Sequence, residues 1–264
     1  MKLLLDDRFA PITSEFGFIE KDAAAVAEWF REWDGNNMRD RGVVAEKRPV
    51  AGSLEQLLRM LEPLTTVERR RHLFVPTRGA WTAYFDNGCP SGDAFVVALV
   101  AREMKVRAVR VVAVPDSMPD SRRTGGRFGA TLFELYGPEL IPGGFLNVQR
   151  TVGVANDGGR WRFDKGGPLL AFEDPAIFKA RTIRDRFGFE HLARYLGQLG
   201  IDAFDPAFYA RTGVLVERRG PHAPDMRECS LESVRASWED AGATVGGRTL
   251  TKSSNRSTPR TNSD

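Results

Sequence analysis

The sequence predicts an α+β fold: a mixed, largely antiparallel sheet packed by several helices, with room for one βαβ unit. Three observations carry this. Apolar residues recur at helical spacing in several separate stretches. β-Branched and aromatic runs bounded by Gly, Pro, Asn or Asp fall between those stretches. Asn156, Asp157, Gly158 and Gly159 separate two such runs in the way a hairpin turn does. With 264 residues, 42% apolar and 28% charged, the chain can bury a full core. Residues 1–241 read as one globular α+β domain.

In chain order, Ala23, Val26, Ala27, Phe30 and Trp33 share one side of a helix over 22–34, with Glu28, Arg31 and Glu32 opposite and Gly35 as its stop. Ser53 followed three residues later by Gln56 forms a capping box ahead of Leu54, Leu57, Leu58 and Leu61, and Pro63 ends that helix. His72 follows the run Arg69–Arg71 and is expected at the solvent-facing end of a short helical turn. His72–Pro76 and Trp81–Asp86 are short β-rich runs around Thr77, Arg78 and Gly79, a hairpin or two sequential strands. Ser91–Met104 is apolar nearly all round and alanine-containing, which predicts a helix buried on most sides. Ala108–Val114 is β-branched and stops at Pro115, as a buried strand does. Trp81–Asp86, that helix and Ala108–Val114 together make the candidate βαβ unit, which would place residues 87–94 at a strand C-terminus and a helix N-terminus.

Residues 115–127 lack periodicity and contain many breakers, so they read as a surface loop before the strand Phe128–Tyr136. Phe145–Ala155 and Arg160–Asp164 form the hairpin arms. Phe189, Leu192, Tyr195, Leu196 and Leu199 stripe a helix over 184–199 that Gly200 stops. A short strand at Val214–Glu217 and a helix from Ser230 to Asp240, capped by Ser230, complete the ordered part. Residues 242–264, rich in Gly, Ser, Thr and Asn, read as a disordered basic tail.

Charge narrows the function classes. The net charge is +3, and Arg248, Lys252, Arg256 and Arg260 against Asp264 account for all of it, leaving residues 1–241 without net charge. A neutral body has no long-range field to steer a polyanion, so nucleic acid is not an expected partner. The longest apolar run, Ala94–Ala101, is far shorter than a bilayer span, and no secretory-type apolar stretch follows Lys2. The expectation is a cytoplasmic protein with no membrane partner. Cys89 and Cys229 are the two cysteines, distant in sequence, and are expected to be reduced. No Cys/His spacing resembles a zinc site, and neither metal nor cofactor is expected.

The densest cluster of chemically useful groups is the loop Asp86–Asp93. Cys89 near a helix start could serve as a nucleophile with His72 or His191 as base, and Asp86 with Asp93 could ligate a metal. The plainer reading makes Asn87–Gly88 a turn, Ser91 a helix cap and Asp93 a first-turn acid complementing the helix dipole. Glu134, Asp164, Glu173 and Asp174 are candidate acid/base or magnesium-binding carboxylates, with no spacing that unites them. Arg122, Arg123 and Arg127, beside Gly125 and Gly126, could clamp an acidic partner or form a solvated loop. The pairs Trp29/Trp33 and Trp161/Phe163 have the spacing of core residues, and exposure of either would mark a protein interface. No complete catalytic constellation emerges. The first expectation is therefore a protein-interaction domain of the inhibitor, immunity or adaptor kind, and the second a small-molecule enzyme using the Asp86–Asp93 loop.

Overall fold

The computed structural model describes residues 3–92, 95–118, 126–139 and 146–240. Its centre is a nine-stranded sheet. In chain order the elements are β1 (Glu15–Ile19), α1 (Ala23–Met38), β2 (Val44–Ala51), α2 (Leu54–Arg59), β3 (Leu64–Thr65), β4 (Arg71–Pro76), β5 (Thr82–Asp86) and α3 (Phe95–Met104). After these come β6 (Ala108–Val114), β7 (Ala130–Tyr136), β8 (Val148–Asp157), β9 (Arg160–Gly166), α4 (Phe189–Gln198), β10 (Thr212–Arg219), β11 (Glu228–Cys229) and α5 (Leu231–Asp240). The strands lie side by side as β2-β10-β4-β5-β1-β6-β7-β8-β9, and every hydrogen-bonded pair is antiparallel. β3 and β11 form a second, two-stranded ladder.

An adjacent parallel βαβ unit is not present. β5 and β6 run in the same direction and α3 connects them, but both pair with β1, which is inserted between them. The reason lies in β1 itself: Phe16, Phe18 and Ile19 are buried, so it belongs at the centre of a sheet covered on both sides. The loop before α3 still sits where β5 ends.

Two apolar cores sandwich the sheet. On one face α1 and α3 pack against Ile19, Phe74, Tyr84, Ala108 and Val216. Gly17 permits this approach, because a Cβ there would overlap Val97 Cγ2 and come within 3.1 Å of the Val109 carbonyl oxygen. On the other face the N-terminal segment (Leu4, Phe9, Ile12), α2, α4 and α5 cover Leu73, Phe85, Val109, Phe133 and Val152.

The helices follow their sequence logic. Asp22 caps α1 by accepting from Ala25 N, and α1 continues through Gly35 to Met38. The Ser53–Gln56 capping box is formed. The expected helix over 184–199 is shorter, with Arg184–Arg186 in a 3-10 turn and α4 starting at Phe189. Ser230 Oγ accepts from Ser233 N at the start of α5. Gly158 (φ 62°) and Gly159 (φ 92°) make the tight turn between β8 and β9. No described helix is long and apolar enough to cross a membrane. The expected tail, residues 242–264, lies outside the described residues.

Candidate functional site

The strands β4, β5 and β10 bring Arg69–His72, Asp86–Asn87 and Arg218–Arg219 to one end of the sheet. His72 stands directly opposite Asp86 across the β4–β5 ladder. His72 is buried on a strand and does not end a solvated turn, because α1 covers it: the Phe30 ring centroid lies 4.5 Å from the imidazole. Its Nδ1 is 2.9 Å from Tyr84 Oη, and Tyr84 Oη donates to Asp86 Oδ2 at 3.3 Å. Asp86 Oδ1 accepts from Gly88 N at 2.7 Å. Tyr84 Oη thus links the imidazole to the Asp86 carboxylate. Burial first, and then the charge of Arg218, push the His72 pKa well below its ordinary value, so the ring is neutral at neutral pH.

Asn87 is the hub of the adjoining loop. Its Oδ1 accepts from Arg70 N (2.9 Å) and Arg71 N (3.0 Å), and its Nδ2 donates to Pro63 O (2.8 Å). Arg69 Nη2 donates to Ser91 O at 3.0 Å. Gly88 is required by this crowding, since a Cβ would lie 2.6 Å from Arg69 Nε and 2.9 Å from Asp86 Oδ1. These bonds hold the Asn87–Gly92 segment against β4 without leaving a carboxylate oxygen of Asp86 idle. A groove of about 250 Å³ opens beside Asn87, lined by Arg70, Arg71, Arg218, Arg219 and His222 among others. Its arginines are compensated: Arg70 pairs with Glu68, Arg71 with Glu217, Arg218 with buried Asp34, and Arg219 with Glu46.

The thiol is placed elsewhere. Cys89 packs against the core on the α2/α4 side of the sheet, while His72 and Asp86 face α1. Although distant in sequence, Cys89 and Cys229 meet, because β3 holds both: Cys89 N donates to Thr65 O, and Cys229 pairs with Leu64. Burial and a hydrogen bond with Cys229 push the Cys89 thiol up to about 12. His191 is remote from this cluster, capping α4 by accepting from Gly188 N through Nδ1. Asp93, Arg122 and Arg123 lie outside the described residues. Arg127 is engaged within the chain, donating to Asp7 and Ser14 and lying over the Trp238 ring at 4.6 Å. Among the described residues, no three His, Cys, Asp or Glu side chains converge as a metal-binding group.

The remaining carboxylates also separate. Glu134 is part of a half-buried network with Arg110, Tyr136 Oη and Thr151 Oγ1 and does not face open water. Glu173 forms a buried bidentate pair with Arg150. Asp174 Oδ1 accepts from Ala176 N, and Asp164 is exposed on β9. Trp29 and Trp33 stack, half-buried, on α1.

A second feature, which was not legible in the sequence, is a partly exposed apolar stretch of the sheet among the described residues. Across β6, β7 and β8 the register aligns Val112–Leu132–Gly153 and Val114–Ala130–Ala155 in rows. Val112, Val114, Ala130 and Leu132 are only half-buried, whereas the alternate residues Val111, Ala113, Thr131 and Phe133 are buried under the opposite layer. Phe128, two residues before β7, is 42% exposed at the rim. The clue in the sequence was the apolar character of both alternating sets, which normally means cover on both faces. Compared with protein-family models, curated proteins and solved structures, the chain has no match.

Proposed function

We propose that this chain is a protein-binding domain, of the inhibitor, immunity or adaptor kind, that engages its partner through the half-buried apolar face of β6–β8. The observation that carries this reading is the half-buried rows Val112–Leu132 and Val114–Ala130, rimmed by exposed Phe128. An apolar patch with a polar surround is the usual composition of an interface centre. Arg110 and Glu134 supply such a surround at one end, and Arg162 and Asp164 at the β9 side. The alternative, an enzyme using the Asp86–Asp93 loop, has less support. A thiol pushed up to about 12 is protonated at neutral pH and is a poor nucleophile, and both Asp86 oxygens already accept hydrogen bonds.

The test is affinity capture from the native host with the wild-type chain and with Phe128→Asp and Leu132→Asp variants whose melting temperature is unchanged. One partner should bind the wild type saturably and bind the variants at least about tenfold more weakly, as loss of an interface-centre contact implies. Equal recovery by all three chains, or no saturable partner, rejects the reading.

A further inference from the structure

The two edges of the sheet differ in a way that points to a partner. β2, at one edge, carries Pro49, which has no N–H to offer, together with Lys47 and Arg48. Such residues protect an edge from further pairing. β9, at the other edge, contains no proline, and its Trp161 and Phe163 are only half-buried. Its outward hydrogen-bonding groups, which no described strand pairs, can be assigned from the hairpin. A two-residue turn at Gly158–Gly159 makes Asp157 and Arg160 the closing pair, so the main-chain groups of Arg160, Arg162 and Asp164 point to β8. Those of Trp161, Phe163 and Lys165 therefore point outward. The position of Lys165 N agrees: it donates to Asp164 Oδ1 at 2.9 Å rather than to the ladder.

We propose that β9 pairs antiparallel with β9 of a second copy of this chain, about a twofold axis at Phe163, joining two sheets edge to edge. With the axis at Phe163, the outward groups of Phe163 meet their own copies, and those of Trp161 meet Lys165 of the second copy, which is the hydrogen-bonded alternation an antiparallel pair requires. The intervening positions place Arg162 opposite Asp164, and Asp164 opposite Arg162, on the exposed face. On the other face Lys165, whose Nζ lies 5.2 Å from the centroid of the Phe178 ring of its own chain, then stands across from Trp161. Shifting the axis to Trp161 sets Arg160 against Arg162, and directly opposed like charges are unfavourable. The register centred on Phe163 thus follows from the order Arg162-Phe163-Asp164. In the monomer, Asp164 shields the Lys165 amide locally and Arg162 pairs with Asp157 at 3.0 Å; pairing exchanges the first bond for a main-chain one and offers Arg162 a second carboxylate. This inference does not depend on the proposed partner-binding face, and it is tested without any partner present.

Sedimentation equilibrium of the full chain at rising concentration should show a reversible monomer–dimer transition. Arg162→Asp opposes two aspartates and Asp164→Arg opposes two arginines, so each variant alone should associate at least about tenfold more weakly, a change of about 1.4 kcal/mol. The double exchange, Arg162→Asp with Asp164→Arg, should restore the dimer. A mixture of the two single variants should form a heterodimer, because each supplies the charge the other lacks. Lys165→Pro removes one outward donor while sparing the β8 ladder and should abolish pairing. All positions substituted are exposed, and circular dichroism checks that each variant is folded. A wild-type chain that stays monomeric, a dimer indifferent to the charge exchanges, or a dimer that survives Lys165→Pro overturns the proposal.

Discussion

His72 has no charge at neutral pH, and this traces to its burial under Phe30 beside the Arg218 guanidinium. The consequence is a pH dependence of stability with a definite sign. In the unfolded chain the imidazole titrates near its reference value of about 6.5; in the folded chain it titrates lower. Below about pH 6.5 the unfolded state binds a proton that the native state refuses, so stability is full above that pH and falls as the pH drops toward the folded value. The slope attributable to this one group is at most about 1.4 kcal/mol per pH unit. Urea unfolding of the wild type and of His72→Gln between pH 7.5 and 5 should show the variant with the shallower decline. Identical pH profiles would mean that His72 protonates without cost and that its burial is not felt. The pairing of His72 with Asp86 was legible only to within one residue: equal counting from the ends of His72–Pro76 and Trp81–Asp86 sets His72 opposite Phe85, whereas the ladder pairs Pro76 with Thr82 and so His72 with Asp86. Tyr84 as the link between them was not legible, because it depends on which face of β5 lies beneath α1.

At the scale of elements, legibility followed exposure to water. α1, α2, α4 and α5 each present a wet side, and the contrast between faces writes the helical period into the sequence. β1 has no such contrast: after Glu15, the residues Phe16, Gly17, Phe18 and Ile19 are all buried, so no alternation marks it. Yet β1 organises the sheet, and the contact that seats α3 upon it is Gly17 against Val97. Gly17→Ala should therefore destabilise the fold by about 1–3 kcal/mol, the usual cost of overpacking. Val97→Ala alone should also destabilise, by opening a cavity, but the double variant should lose less than the sum of the two, since the smaller residue at 97 accommodates the new methyl group. Denaturation midpoints of the four chains close the cycle. Strict additivity would mean that helix α3 does not rest on Gly17.

For the molecule as a whole, chain order and spatial order disagree most at β10. It comes after every other strand of the large sheet in sequence, yet it lies between β2 and β4, pairing residue for residue with β2 from Thr212–Ala51 to Arg219–Val44. Its middle, Val214–Glu217, is legible because Val214, Leu215 and Val216 are apolar in succession, but no local pattern announces that a strand this late is inserted between two early ones. The insertion makes the N-terminal half dependent on the C-terminal one. Without β10, β2 has no neighbour, Ala45 and Phe74 lose Val216 from the core under α1, and Asp34 keeps its buried carboxylate without the Arg218 guanidinium. A buried charge left unpaired costs several kcal/mol by itself, a large share of the net stability of a domain. A chain ending at residue 205 should consequently show no cooperative thermal transition, while the full chain melts in a single step reported equally by far-ultraviolet dichroism and by tryptophan fluorescence. If the shortened chain still unfolds cooperatively, the β1–β4–β5 region and its helices form a separate folding unit, and the late strand only docks onto it.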